Sequence, residues 1–195
     1  MKQLFEKVIM NEIENEELRN FALYSANKIP DYFWEIPASS SGKYHPITDL
    51  GEGGLVRHSL MVCKVAMDLL NSSTSQEIIN LKDPILFACL FHDCCKNGIV
   101  KSNHTEHTHP LIAKGFIGKC SKEYAKNNKC SALFFSLCSD IQNMISTHMG
   151  RWNKSNYSPI ELPTPNSIQE KFVHQCDYIA SRKYCLFDEE FFSQY

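Results

Sequence analysis

Apolar positions recur with helical spacing along most of the chain. Leu4, Phe5, Val8, Ile9 and Ile13, then Leu18, Phe21 and Ala22, fall on one side of a stretch from about Gln3 to Lys28, which predicts one amphipathic helix or two. The same period predicts helices over about 55–70, 84–93, 110–126, 132–148 and 168–184. No segment shows the two-residue alternation of a half-buried strand. Local punctuation agrees. Asp83–Pro84 reads as an N-cap followed by a first-turn proline, Ser167-Ile-Gln-Glu170 has capping-box spacing, and Gly150 fits a stop after His148. Two stretches break the pattern and predict long irregular loops of the kind that carry function. Residues 29–54 hold three prolines, three consecutive serines and four glycines, and residues 153–166 hold Pro159, Pro163 and Pro165. A short last helix is expected around Phe191 and Phe192. The expected architecture is all-α, one domain over 1–195, with helices and loop of 1–49 packed on a core of about 50–185.

Composition narrows the function classes. A chain of 195 residues suits one domain with a sizeable core. A formal charge of −2 and a pI near 6.4 give no bulk attraction for nucleic acid or an anionic membrane, so any polyanion must be met locally. No run approaches the ~18–20 apolar residues of a membrane span. The first fifteen residues mix Lys2, Glu6, Lys7, Glu12 and Glu14 with apolar ones, unlike a signal peptide. The nine cysteines are odd in number, lack a C-x-x-C pair and partly sit in apolar helical runs (Cys63, Cys89, Cys176). They read as free buried thiols of a reducing compartment, and a cytoplasmic location is expected.

Polar side chains on apolar faces carry the chemistry. His58 shares a face with Met61, Val62 and Val65; His148 with Met144 and Ile145; Asp177 with Val173 and Ala180; and His92–Asp93 end the apolar run 85–91. A buried carboxylate costs several kcal/mol unless it is paired or bound to a cation. Five such positions on four helices share one economical explanation, convergence on metal.

The order His58 … His92-Asp93 … Asp177 resembles the H…HD…D signature of the HD-domain metal-dependent phosphohydrolase superfamily. The contexts Gly53-Gly-Leu-Val-Arg-His58-Ser and Leu90-Phe-His-Asp-Cys-Cys-Lys96 match as well, and the likeness covers roughly residues 50–185. The resemblance implies a first ion held by His58, His92, Asp93 and Asp177, and a second held by His109 and His148 with Asp93 between them. Of His104, His107 and His109, the last is favoured because Pro110 places it at a helix start. Some binuclear members have a His-His pair where this chain has Thr147–His148. The nitrogen and oxygen donors suit one or two ions of Mn, Fe, Co, Ni or Zn, with Mg also admitted.

The chemistry implied is attack of a metal-activated water on phosphorus, with Asp93 and Lys96 as catalytic residues. Lys43 and His45 in the first loop, as a lid, and Arg151 and Trp152 beyond the His148 helix are candidate substrate contacts; Arg57 points to a different face. The expected substrate is a nucleotide or other small phosphoester. A 3′–5′ exonuclease acting on nucleic-acid ends, an HD-fold di-iron oxygenase and a non-catalytic nucleotide- or RNA-binding module are the alternatives. The oligomeric state is left open.

Overall fold

A computed structural model describes residues 1–39 and 42–195. Among these it is all-helical, without strands: α1 (Lys2–Glu12), α2 (Glu16–Ala26), α3 (Gly54–Ser72), α4 (Gln76–Ile79), α5 (Lys82–Phe91), α6 (His109–Asn127), α7 (Ala132–Thr147), α8 (Ile168–Ala180) and α9 (Glu189–Phe192). Single 3-10 turns lie at Asp31–Trp34, Ile47–Asp49 and Gly150–Trp152. Among the described residues no helix is long and apolar enough to cross a membrane.

Helix α5 is the axis. Every residue from Pro84 to Phe91 is buried, which is what an all-round apolar helix requires, and α1, α2, α3, α7 and α8 pack around it. Aromatic rings tie the N-terminal helices to it. Phe21 stacks on Phe87 at 5.4 Å, Phe87 on Phe91 at 4.5 Å, and Phe5 meets Phe91 edge-on at 5.5 Å. Each pair adds about 0.5–1.5 kcal/mol beyond burial.

The helix ends differ from the sequence expectation in informative ways. The stretch from Gln3 to Lys28 is two helices, because the Asn15 side chain accepts from Leu18 N and restarts the chain. Asp83 does not cap its own helix, which begins one residue earlier; its carboxylate accepts from the backbone of Glu14 and Asn15 and serves the entry to α2 instead. Ser167 caps α8 as expected, while Glu170 reaches back to Asn166 N rather than to Ser167. Helix α8 stops at Ala180, not Tyr184: Arg182 Nε takes the Tyr178 carbonyl, and its backbone N turns to Ile179 O. The four-residue α4 is a further element that periodicity does not reveal.

The described parts of the first loop form a wall against the start of α3. Ala38 N donates to Asp49 O, Gly53 N to Glu35 O, Leu55 N to Ile36 O, and Arg57 Nε to Thr48 O at 2.6 Å. Thr48 Oγ1 also accepts from Phe187 N. The wall lies so close to the start of α3 that a Cβ on Gly54 would sit 2.0 Å from the Asp49 carbonyl oxygen. Gly54→Ala therefore forces backbone apart, and the expected loss is about 1–3 kcal/mol. A thermal melt should fall by about 2–4 °C per kcal/mol, and an unchanged Tm would contradict this packing.

Candidate metal centre

Helix ends leave the last four carbonyls without intrahelical partners, and three site histidines use such local oxygens. His92, just past α5, donates Nδ1–H to Cys89 O at 2.8 Å. His148, just past α7, donates Nδ1–H to Ile145 O at 2.7 Å. His109, opening α6, donates Nδ1–H to Glu106 O at 2.7 Å in the preceding turn. In each case the ring tautomer is fixed and Nε2 faces inward.

The inward atoms meet at Asp93. Its Oδ1 lies 2.9 Å from His109 Nε2 and 3.6 Å from His148 Nε2, and its Oδ2 lies 3.5 Å from His92 Nε2. Asp177, projecting from α8, sets Oδ1 3.0 Å from His58 Nε2 and 3.7 Å from His92 Nε2. His92 thus belongs to two close triplets, one with His58 and Asp177 and one with Asp93 and His148.

These residues fit a divalent metal. With Nδ1–H engaged, a neutral imidazole offers only a lone pair at Nε2. His109 and His148 hold two such atoms 3.2 Å apart, and His109 faces a carboxylate oxygen at 2.9 Å. Lone pairs so placed repel unless a cation is shared among them. His92 Nε2 and Asp93 Oδ1 are buried without a hydrogen-bond partner, an arrangement that costs about 1–3 kcal/mol per group when left uncompensated.

Charge and burial oppose one another here. Burial disfavours the Asp93 carboxylate, but Lys96, His92 and His109 outweigh it and hold Asp93 well below the usual range. Asp177 is lowered in the same way: burial works against it, while the His58 hydrogen bond and the neighbouring His92 and His58 rings win. Burial also opposes a charged His58, yet Asp177 and Asp49 raise it to about 9. His148 is pushed down to about 3 by burial and by its neighbour His92.

A cavity of about 380 Å³ opens over the cluster, with His58, Asp93, His109, His148 and Asp177 on its floor. Its walls include His45, Lys96, Arg151 and Trp152. Lys96 Nζ lies 2.6 Å from Asp93 Oδ2, so it neutralises that oxygen at the cavity edge. Arg151 lies over the Trp152 ring at 4.5 Å. Lys43 does not line the cavity; its ammonium sits over the exposed Tyr44 ring at 5.0 Å. Arg57 is occupied with the Thr48 carbonyl. His104 is exposed, and His107 donates Nε2–H to Ile160 O, turned away from the cluster.

Several contributors escaped sequence reasoning. Asp49 is fully buried with Oδ2 3.3 Å from His58 Nδ1, yet it stands alone between a proline and glycines with no periodic signal. His174 donates Nδ1–H to His148 O, and its ring occupies the space where a Cβ of Gly150 would lie. Tyr178 stacks on Trp152 at 5.6 Å, and Arg182 covers Tyr178 at 4.3 Å. His174, Tyr178 and Arg182 are four residues apart, a stripe beside Asp177 that could have been found. Tyr32 Oη donates to Gly98 O and accepts from Asn97 N, fixing the turn that follows Asp93.

The fold and the cluster define an all-helical protein with a buried His/Asp centre able to hold divalent metal. The model of the HD domain matches residues 55–182, and the chain belongs to that family of metal-dependent phosphohydrolases. No curated protein and no solved structure matches it. Membership carries a metal-dependent, hydrolase-type function and divalent metal binding.

Metal should stabilise the native state measurably. At about 100 times its Kd, Mn2+ or a similar ion adds about 2.7 kcal/mol, or roughly 5–10 °C in Tm for a chain of this size. Asp93→Ala should abolish the rise and His148→Ala should keep part of it. A wild-type Tm indifferent to Mn2+, Fe2+ and Zn2+ alike would remove the centre.

Proposed function

We propose that this protein hydrolyses a phosphoester or phosphoanhydride of a small molecule, foremost a nucleotide. The observation that carries the reading is the ring of fixed Nε2 atoms around buried, ionised Asp93 beneath a cavity bearing cations. A volume of about 380 Å³ suits a small ligand, and the net charge of −2 disfavours a long polyanion.

His58, His92, Asp93 and Asp177 would hold one ion, with His109 and His148 holding a second across Asp93. Divalent metal there supplies an activated water and offsets charge on the non-bridging phosphoryl oxygens. The chain's own residues do the rest. Lys96 keeps Asp93 ionised and presents positive charge to the phosphoryl group. Arg151 offers a planar donor fork for phosphate, and the half-exposed Trp152 face offers a ring on which a base can stack. His45 faces the substrate from the first loop. Lys43, outside the cavity, can meet only a group that projects from it. Nine cysteines, seven of them buried and none bridged, support a cytoplasmic location.

Purified protein screened against phosphoesters should turn over at least one nucleotide or related ester, lose that activity to chelator and regain it with Mn2+. Full activity in a metal-free preparation would end the reading.

Lys96→Met keeps most of the stem and removes the ammonium. It should lower kcat about tenfold to a thousandfold, roughly 1.4–4 kcal/mol of transition-state stabilisation, with metal content retained. A change confined to KM would reduce Lys96 to anion capture.

A further inference from the structure

The cavity wall carries more positive charge than a single phosphoryl group at the metal centre would use. Lys96, Arg151 and Arg182 all line it. Lys96 is committed to Asp93 Oδ2 at 2.6 Å. The described contacts of the two guanidiniums are with aromatic rings and, for Arg182, with neutral oxygens; none is with a carboxylate.

Arg182 is the more firmly held of the two. Its Nε donates to Tyr178 O at 3.0 Å and its Nη2 to Ser181 Oγ at 2.8 Å, while the Ser181 hydroxyl donates to Tyr178 O at 2.9 Å. The guanidinium lies over the Tyr178 ring at 4.3 Å and over the Tyr44 ring at 5.5 Å. Trp152 stacks on Tyr178 in turn, 5.6 Å away and tilted by 16°. A column of Trp152, Tyr178, Arg182 and Tyr44 thus joins the turn after α7, the end of α8 and the first loop.

Ending α8 requires only the Nε bond. The ring contacts and the Ser181 bond add something else: they fix the direction of a side chain that otherwise keeps about 2 kcal/mol of rotamer entropy. Among the described residues Nη1 has no acceptor, and Arg182 makes no hydrogen bond or ion pair with any residue of the His/Asp cluster. A guanidinium held between rings with donors open is preorganised for an anion, and its planar fork matches a phosphoryl group.

We propose that Arg182, between Tyr178 and Tyr44, binds a second phosphoryl group of the substrate, which is therefore a phosphoester or phosphoanhydride with at least two. This subsite presupposes a phosphorylated small molecule at the metal centre, the reading on which it rests. One phosphoryl group is attacked over the metals; the other is the handle by which the molecule is held.

The test is binding without turnover, by calorimetry on the full-length protein loaded with Mn2+. The probes are methylphosphonate, methylenebisphosphonate and propane-1,3-bisphosphonate, with metal content checked after each titration. Arg182→Gln should weaken at least one bisphosphonate about tenfold to a hundredfold, the worth of hydrogen bonds to a charged group. Methylphosphonate should change by less than about threefold, and Arg182→Lys, which keeps the charge but not the fork, should fall between wild type and Arg182→Gln. Tyr44→Leu, at an exposed position that leaves the fold intact, should weaken the same bisphosphonate about twofold to fivefold. A loss on the methylene probe identifies adjacent phosphoryl groups, as in a diphosphate; a loss on the propane probe identifies groups on separate positions.

Equal weakening of all three probes would place Arg182 on the phosphoryl group at the metals and overturn the proposal. Unchanged affinities in an Arg182→Gln protein of wild-type Tm would make the column purely structural and overturn it as well. Both outcomes leave the hydrolase reading standing. A metal-loaded wild type that binds none of the probes and cleaves no phosphoester would sink that reading and the subsite together.

Discussion

A histidine Nδ1–H bonded to a backbone carbonyl is the interaction on which the rest of this structure depends. It occurs at the ends of α5 and α7 and at the start of α6, where helix geometry or the adjoining turn leaves oxygens free. Each bond fixes a tautomer and a ring direction together. The positions of Nε2 are consequently set by where helices end, and the buried packing around α5 determines where that is. His174 extends the device by one step: it grips the His148 carbonyl from α8, and only a glycine at position 150 leaves room for its ring.

The centre sets stability against chemistry. Two carboxylates remain ionised in a setting whose burial works against them, while buried imidazole and carboxylate atoms lack protein partners. Apolar residues of similar volume would pack there with less strain. The protein alone offsets the conflict partly, through Lys96 on Asp93 and His58 on Asp177. A cation satisfies the remainder, so the features that look costliest in the protein alone are those that select its ligand.

Much of this was legible in the chain because helical periodicity separates a core face from everything else. His58, His148 and Asp177 stood out by lying on apolar faces, and the brought-together cluster involves those positions. What stayed hidden depends on contacts across sequence. Asp83 looks like a cap for its own helix and instead serves α2, a choice fixed only when α5 docks against the N-terminal pair. Asp49 has no periodic neighbours to make it conspicuous, and its partner His58 arrives from another element. The first loop reads by composition as a long irregular segment, yet its described backbone bonds are made to itself and to α3, which composition does not encode. Arg182 ended α8 early by taking a carbonyl with its side chain, a competition that apolar spacing cannot register.

The cluster draws its side chains from positions 58, 92, 93, 109, 148 and 177, so all but one adjacent pair are separated by long stretches of chain. No local fragment contains it, and closing those loops must precede any shared contact. An ion bound there therefore acts late in assembly, on contacts that a folding transition state has largely yet to make. Stabilisation of that kind leaves the rate of folding nearly untouched and slows the reverse step instead. Metal would then govern the lifetime of the folded molecule, its resistance to rare opening and to proteolysis, more than the speed with which it is made.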